Sequence, residues 1–290
     1  MSSQTASAKT IRPQRSARRI RKKIFARLTL LLLCGLFLTP LYWMVITALK
    51  SDQELTQFPP TLIPHDPQWS NFIEAVQFIP FGTYLWNSSV ITFFSILGAA
   101  ISNPIIAYGF SRIQWPGRDK VFFFVIATIF IPFPVLMVAL FDIFARIGWV
   151  NTFLPLIVPM FFGNPFWIFL VRQFMMQIPN EISDAARVDG AGEFQVFYRI
   201  ILPLCKPAIA VVAIFAAVHA WNDFLGPLIY LQDESKYTLA IGLQFFRSLH
   251  DVEFSLLMAA STLVVLPIVA IFLLFQRFFV EGLSVGSVKG

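Results

Sequence analysis

The chain has 290 residues, of which 57% are apolar and 13% charged, with a mean hydropathy of +0.71. A soluble globular domain carries about a quarter charged residues, so this composition excludes one, and its apolar content excludes a disordered polymer. Two cysteines do not make a disulfide framework. Cys34 and Cys205 lie in or beside apolar stretches and read as packing residues.

Reading from charge to charge, apolar stretches predict transmembrane helices at about 28–49, 84–111, 121–143, 148–172, 204–230 and 254–277. Each reaches the roughly 20 residues that a helix needs to cross about 30 Å of hydrocarbon. Continuous apolarity, not alternation, selects helices over barrel strands. The first stretch is followed by Lys50-Ser51-Asp52-Gln53-Glu54 without a small-residue cleavage site, so it reads as a retained anchor and not a signal peptide.

Orientation follows from the cations. Residues 1–27 form a basic tail (Lys9, Arg12, Arg15, Arg18, Arg19, Arg21, Lys22, Lys23, Arg27), and the second and fourth connections carry most of the remainder. The opposite side receives only Lys50, Arg146, Lys236 and Arg247 of 22 Lys and Arg. By the positive-inside rule both termini are cytoplasmic. The basic tail is therefore a topology signal, and no nucleic-acid partner is expected. The fold class is an all-α integral membrane protein with six transmembrane helices, cytoplasmic N and C termini and no internal repeat, the size of half an assembly.

The longest cytoplasmic connection lies between spans 4 and 5 and includes the loop 179–203. Asn180 is a candidate N-cap, with Glu181 and Asp184 near the positive end of the helix dipole. Gly190 suits a left-handed helix terminus. A second apolar-periodic stretch, Phe194, Val196, Phe197, Ile200 and Ile201, then leads to Leu202-Pro203. Two short helices meet at a glycine elbow, and Ala185 and Ala186 present a surface without bulk that fits a partner's groove.

Asp184-Ala185-Ala186, Gly190, Ile200 and Leu202-Pro203 resemble the cytoplasmic signature of permease subunits of binding-protein-dependent ATP-binding-cassette importers. That signature is Glu-Ala-Ala, three residues, Gly, nine residues, Ile, any residue, Leu, Pro; the one departure here is Asp for the leading Glu. Asn87-Ser88-Ser89-Val90-Ile91, Ala107-Tyr108-Gly109-Phe110-Ser111-Arg112, Trp221-Asn222-Asp223-Phe224-Leu225-Gly226-Pro227-Leu228 and the terminal Val288-Lys289-Gly290 resemble the carbohydrate branch, in particular the second permease subunit of maltose-type importers.

The resemblance implies a bacterial inner-membrane, multi-pass transport subunit with a transmembrane domain at 28–281 and a cytoplasmic tail at 282–290. It implies a heterodimer with a second permease, two ATPase subunits beneath, an extracytoplasmic solute-binding protein outside and a di- or oligosaccharide cargo. The 179–203 loop is then a coupling helix, in which Glu181, Asp184, Ala185, Ala186, Asp189, Gly190, Ile200, Leu202 and Pro203 link the chain to an ATPase. Gly286, Val288 and Lys289 become ATPase contacts of the tail. Trp221, Asn222 and Asp223 become candidates for the translocation path or gate. For Asp223, helix packing or interfacial hydration explains an acid inside an apolar segment equally well.

The chain contains no Gly-x-x-x-x-Gly-Lys-Ser/Thr loop, so ATP and Mg are assigned to the partner ATPases and no cofactor or metal to this chain. Gly282-Leu283-Ser284-Val285-Gly286 matches a hydrolase nucleophile elbow in letters only, because it follows a membrane helix and not a strand. A membrane enzyme such as a phosphatidyl transferase would want acids repeated on one intramembrane face, which are lacking, so the chain is expected not to be an enzyme. Importers of amino acids, peptides or phosphorylated polyols are the nearer rivals, the last disfavoured because no Lys or Arg interrupts the core of a span, a cation that a partner permease could still supply. Arg112 and the Arg118-Asp119-Lys120 cluster read as contacts with anionic lipid.

Overall fold

The computed structural model describes residues 14–247 and 252–284, with side chains for 22–247 and 252–276. Its regular structure there is helical, apart from one isolated bridge between Arg247 and Val252. The principal helices are α1 (Gln14–Ala48), α2 (Phe81–Ser111), α3 (Arg118–Ala127), α4 (Phe133–Arg146), α5 (Pro165–Gln177), α6 (Asn180–Val188), α7 (Lys206–Asn222), α8 (Leu225–Tyr230) and α9 (Phe254–Ser284).

Among the described residues four segments are long and apolar enough to cross a membrane: Lys22–Ala48, Phe81–Ser111, Leu154–Met176 and Phe254–Gln276. Two further pairs qualify as broken spans, Arg118–Phe130 with Phe133–Arg146, bent by 100°, and Glu193–Leu204 with Lys206–Asn222, bent by 75°. The third span expected near 121–143 is thus broken, and Pro132 and Pro134 supply the cause, since neither can donate to the preceding turn.

The fourth helical segment begins at Leu154 and not near 148. Residues before it form an outer turn around Asn151, which sits at φ 62°, a conformation Asn tolerates better than most residues. The segment breaks again at Gly163, φ 87°. The fifth stretch, expected to run through 230, is interrupted where Asp223 is extended between α7 and α8.

The centre of the molecule is α2, which packs against α7 and α5, while α9 packs on α7 and α1. Small or short polar residues on α2 (Ser95, Gly98, Ala99, Ser102, Ala107) are buried. That allows close helix approach where lipid supplies no hydrophobic drive between helices. The most apolar window of α1 is wholly unburied by this chain. Cys34 is exposed on it, so it is not a packing residue within the chain, whereas Cys205 is buried.

The outer loop after α8 is tied down onto the start of α2. The Tyr84 hydroxyl donates to Glu234 Oε1 at 3.1 Å, and Asn87 Nδ2 donates to the Ser235 and Tyr237 carbonyls at 2.9 Å each. Ser88 Oγ accepts from the Leu239 N–H at 2.9 Å. Asn151 joins the same structure by donating from Nδ2 to Asp233 Oδ2 at 2.6 Å. That bond is the main cause holding the Asp233 carboxyl below its ordinary pKa.

Candidate functional site

The cytoplasmic loop is built around α6. Its C-terminus closes on Gly190 at φ 85°, with Ala191 N–H on Ala186 C=O at 2.9 Å and Gly190 N–H on Arg187 C=O at 3.0 Å. These two bonds form a Schellman turn, with glycine at its left-handed position. An added Cβ at Gly190 would meet nothing within 4 Å, so the requirement for glycine there is backbone conformation and not space. At the other end, Pro179 occupies the cap position without a side-chain cap bond. Asn180 is therefore not the N-cap; its Oδ1 accepts from Arg112 Nη1 at 2.7 Å instead.

Arg112 overturns its assignment to lipid. It is 7% exposed and also donates to the carbonyls of Met175 and Ile178 at the end of α5. One guanidinium thus joins the inner ends of α2 and α5 to the start of α6. Arg172 does comparable work one turn away, donating to Phe110 C=O at 3.0 Å and lying over the Phe122 ring at 4.1 Å. Arg118 pairs with Asp119 at 3.1 Å, which leaves Lys120 as the exposed cation of that turn.

A second connection runs through side chains. Asp184 Oδ1 accepts from Arg187 Nη1 at 2.7 Å, Arg187 Nε donates to Glu193 Oε1 at 2.7 Å, and the Tyr108 hydroxyl of α2 donates to Glu193 Oε2 at 2.7 Å. The Arg187 bond, followed by the Tyr108 bond, holds the Glu193 carboxyl below the usual carboxylate range. The leading acid of the signature therefore belongs to a chain of bonds that ends on the central helix. Tyr108 adds ring contact with Phe197, centroids 5.0 Å apart.

The residues expected to couple divide into two sets. Glu181, Asp184, Ala185, Asp189 and Gly190 are exposed on the loop. Ala186 is 8% exposed and belongs to the chain's own core with Val196, Phe197 and Ile201, so only one of the paired alanines faces outward. Ile200 and Leu202 pack against that same core, and Pro203 is exposed. Between the two sets, residues 196–201 form a π-helical turn before the 75° bend into α7.

Four apolar residues on this loop are exposed, Ile182 at 40%, Val188 at 87%, Phe194 at 76% and Tyr198 at 61%, and of these the sequence pattern singled out only Phe194, as part of the apolar-periodic stretch. Ile182, Ala185 and Val188 fall at three-residue spacing on one side of α6. Phe194 and Tyr198 stack with parallel rings, centroids 6.3 Å apart. A periodicity search for buried faces misses Ile182, Val188 and Tyr198 and groups Phe194 with the buried Val196 and Phe197, because the apolar character of these four points away from the chain's own core.

The second site lies higher in the bundle. A cavity of about 640 Å³ is lined by Phe133, Asn164, Val218, His219, Asn222, Asp223, Phe224 and Leu225. Asn222 and Asp223 are thus brought together, and Trp221 is not with them. The Trp221 indole is buried behind α7, where Nε1 donates to Val264 C=O of α9 at 3.0 Å. Asn164 caps α5, its Oδ1 accepting from Phe166 N–H at 3.0 Å. The tail residues Gly286, Val288 and Lys289 lie outside the described residues.

Residues 101–285 match the family described as binding-protein-dependent transport system inner membrane component. The chain is 34% identical, over 87% of its length and 91% of the relative's, to the arabinooligosaccharides transport system permease protein AraQ of Halalkalibacterium halodurans. It is 31% identical to the sn-glycerol-3-phosphate transport system permease protein UgpE of Yersinia enterocolitica, over 90% of this chain and 95% of that one. A chain of a bacterial ABC transporter involved in alginate import shares the fold, with a TM-score of 0.74 and 22% identity over 89% of this chain and 98% of that one.

Proposed function

The chain belongs to the binding-protein-dependent transport system inner membrane components, and on that premise we propose that it forms half of the translocation pore of a sugar importer. It is a multi-pass inner-membrane transport component and not an enzyme. In the proposed assembly it pairs with a second, different permease above two ATPase subunits that bind ATP and Mg. A solute-binding protein delivers a di- or oligosaccharide from outside, the cargo class named for the AraQ relative.

The observation that carries this reading is the braced cytoplasmic loop. Ile182, Ala185 and Val188 form an exposed apolar face of the kind that seats in a partner's groove. The Schellman turn at Gly190, the Arg112 bonds and the Asp184–Arg187–Glu193–Tyr108 chain fix that face to α2 and α5. A helix pressed by a moving ATPase displaces the bundle only when such a junction is stiff. Glu181 and Asp189 form the polar rim of this contact, Ile200, Leu202 and Pro203 its stiff junction to α7, and Gly286, Val288 and Lys289 a second ATPase contact. Asn222 and Asp223 line the cargo path, with Trp221 anchoring α7 to α9 behind them.

The test is purification of the tagged chain from its host in mild detergent, with mass spectrometry of every associated polypeptide and reconstitution into proteoliposomes. Recovery of one other permease and an ATPase, with ATP-dependent sugar uptake, is the expected result. Recovery of the chain alone after cross-linking in intact membranes overturns the assembly.

A further inference from the structure

Three breaks in regular backbone converge on the cavity. Phe133 begins α4 just after the 100° bend, Asn164 follows the left-handed Gly163 and starts α5, and Asp223 is the extended residue between α7 and α8. Non-helical backbone at membrane depth is tolerated only inside protein or along a water-filled space. Depth can be counted along two helices that rise from the cytoplasmic side. The 13 residues of α5 and the 17 of α7 rise roughly 20 and 25 Å at about 1.5 Å per residue. Both counts put the cavity well inside a hydrocarbon layer of about 30 Å, and Asn164 lies near the middle of the span Leu154–Met176.

Among the described residues the polar groups are Asn164, His219, Asn222 and Asp223, and no Lys or Arg lines the space. Asp223 makes no ion pair among the described residues; its Oδ1 accepts from the Gly226 N–H at 3.1 Å. A Cβ at position 226 would collide with Asp223 Oδ2, so the carboxylate lies against a backbone that only glycine leaves open. An unpaired acid at this depth is costly unless water or cargo hydroxyls solvate it.

We propose that this cavity is a cargo-contacting site of the chain itself, and that Asp223 makes it admit uncharged polyhydroxylated solutes while rejecting phosphorylated or uronic ones. The proposal rests on the permease reading. The carboxylate and the two amides suit sugar hydroxyls, the Phe133 and Phe224 rings offer apolar surface to sugar C–H faces, and an anion meets a like charge with no cation among this chain's described lining residues to offset it.

The test uses the whole purified complex in proteoliposomes. Cys34 and Cys205 are replaced by serine and Leu225, which lines the cavity, is changed to cysteine. Its modification by methanethiosulfonates bearing a trimethylammonium or a sulfonate group is timed against the same reagents on a free thiol. We expect the ammonium reagent to be favoured at least tenfold, and Asp223→Asn to bring the preference within about twofold of the free thiol; Asn keeps an oxygen for the Gly226 N–H. A mixture of arabinotriose, raffinose and maltotriose should slow modification, and trigalacturonate should not. No modification by either reagent, equal preference with and without the carboxylate, or protection by the uronate alone or by neither overturns the proposal. Failure of the complex to contain an ATPase and a second permease would instead remove the permease reading, whatever the labelling shows.

Discussion

The two ends of this bundle treat charge in opposite ways. At the cytoplasmic loop, Asp184, Arg187 and Glu193 are joined in one chain of bonds ending at Tyr108, and Arg112 has three acceptors. In the cavity above, Asp223 has one backbone donor and no ion-pair partner among the described residues. A part that transmits displacement has to hold one geometry, and here its charged groups are tied to one another and to main-chain carbonyls, with Arg112 Nε and Ser183 Oγ buried without a partner. A part that meets a passing solute has to leave capacity unused. The comparison teaches that charges tied to one another suit a junction that must keep its shape, and that an acid without an ion-pair partner suits the proposed cargo path.

The largest expected effect on the lever comes from Gly190→Val. A β-branched residue at φ 85° carries the left-handed cost of about 1–2 kcal/mol or more, enough to open the Schellman turn. Uptake should fall more than tenfold while subunit association persists, as read by pull-down and flux. Gly190→Asn, which tolerates that conformation and meets open space, should retain most uptake. Full activity in the Val variant would detach the elbow from coupling.

Arg112→Ala comes next, because it takes the side-chain donor from the part-buried Ile178 carbonyl and from Asn180 Oδ1, at about 1–3 kcal/mol for an unsatisfied group, while the Met175 carbonyl keeps the Ile178 N–H at 3.2 Å. A lower thermal midpoint of the detergent-solubilised complex and a rise in ATP hydrolysed per sugar moved are expected. Lysine should restore only part, since it cannot span three acceptors as a fork.

Tyr108→Phe is milder. It removes the hydroxyl bond to Glu193 and keeps the ring against Phe197. A hydrogen bond to a charged group contributes about 1.5–3 kcal/mol, reduced here because Glu193 is half exposed. The ATP-to-sugar ratio should rise with little change in thermal midpoint. The same carboxylate sets a pH limit. Its folded pKa is depressed, so its contribution is fully present above the ordinary Glu value of about 4.3 and is lost as pH falls through the lower folded value. Hydrogen exchange over 180–195 should therefore be flat between pH 6 and 8 and accelerate only in acid, after correction for intrinsic rates.

Smallest is Asp184→Glu. The pair with Arg187 is exposed at 64% on the acid, and surface pairs contribute about 0–1 kcal/mol. Uptake should change less than twofold; a larger gain or loss would show that the acid touches the ATPase directly.

Much of this was legible in the residues. Long apolar stretches and the asymmetry of cations indicate an all-helical membrane chain, and the signature spacing puts glycine where a left-handed terminus is required. The 100° bend was not legible, because Pro132 and Pro134 announce a break without its angle, which packing decides. Arg112 was misread since its partners are main-chain carbonyls, and these have no signature in a sequence. Ala186 was taken for half of a knob because two adjacent alanines look alike until helix phase turns one inward. Asn164 and His219 gave no signal at all, as the cavity they share is assembled from distant segments.

One helix reaches both ends of this machine. With 31 residues, α2 is roughly 46 Å long at about 1.5 Å per residue. It bonds the outer loop through Tyr84, Asn87 and Ser88 and the inner loop through Tyr108 and Arg112. A body fastened at both ends offers a route for coupling between the two faces, and linkage makes any such coupling reciprocal: whatever factor a docked binding protein outside applies to nucleotide affinity below, nucleotide must apply to docking above.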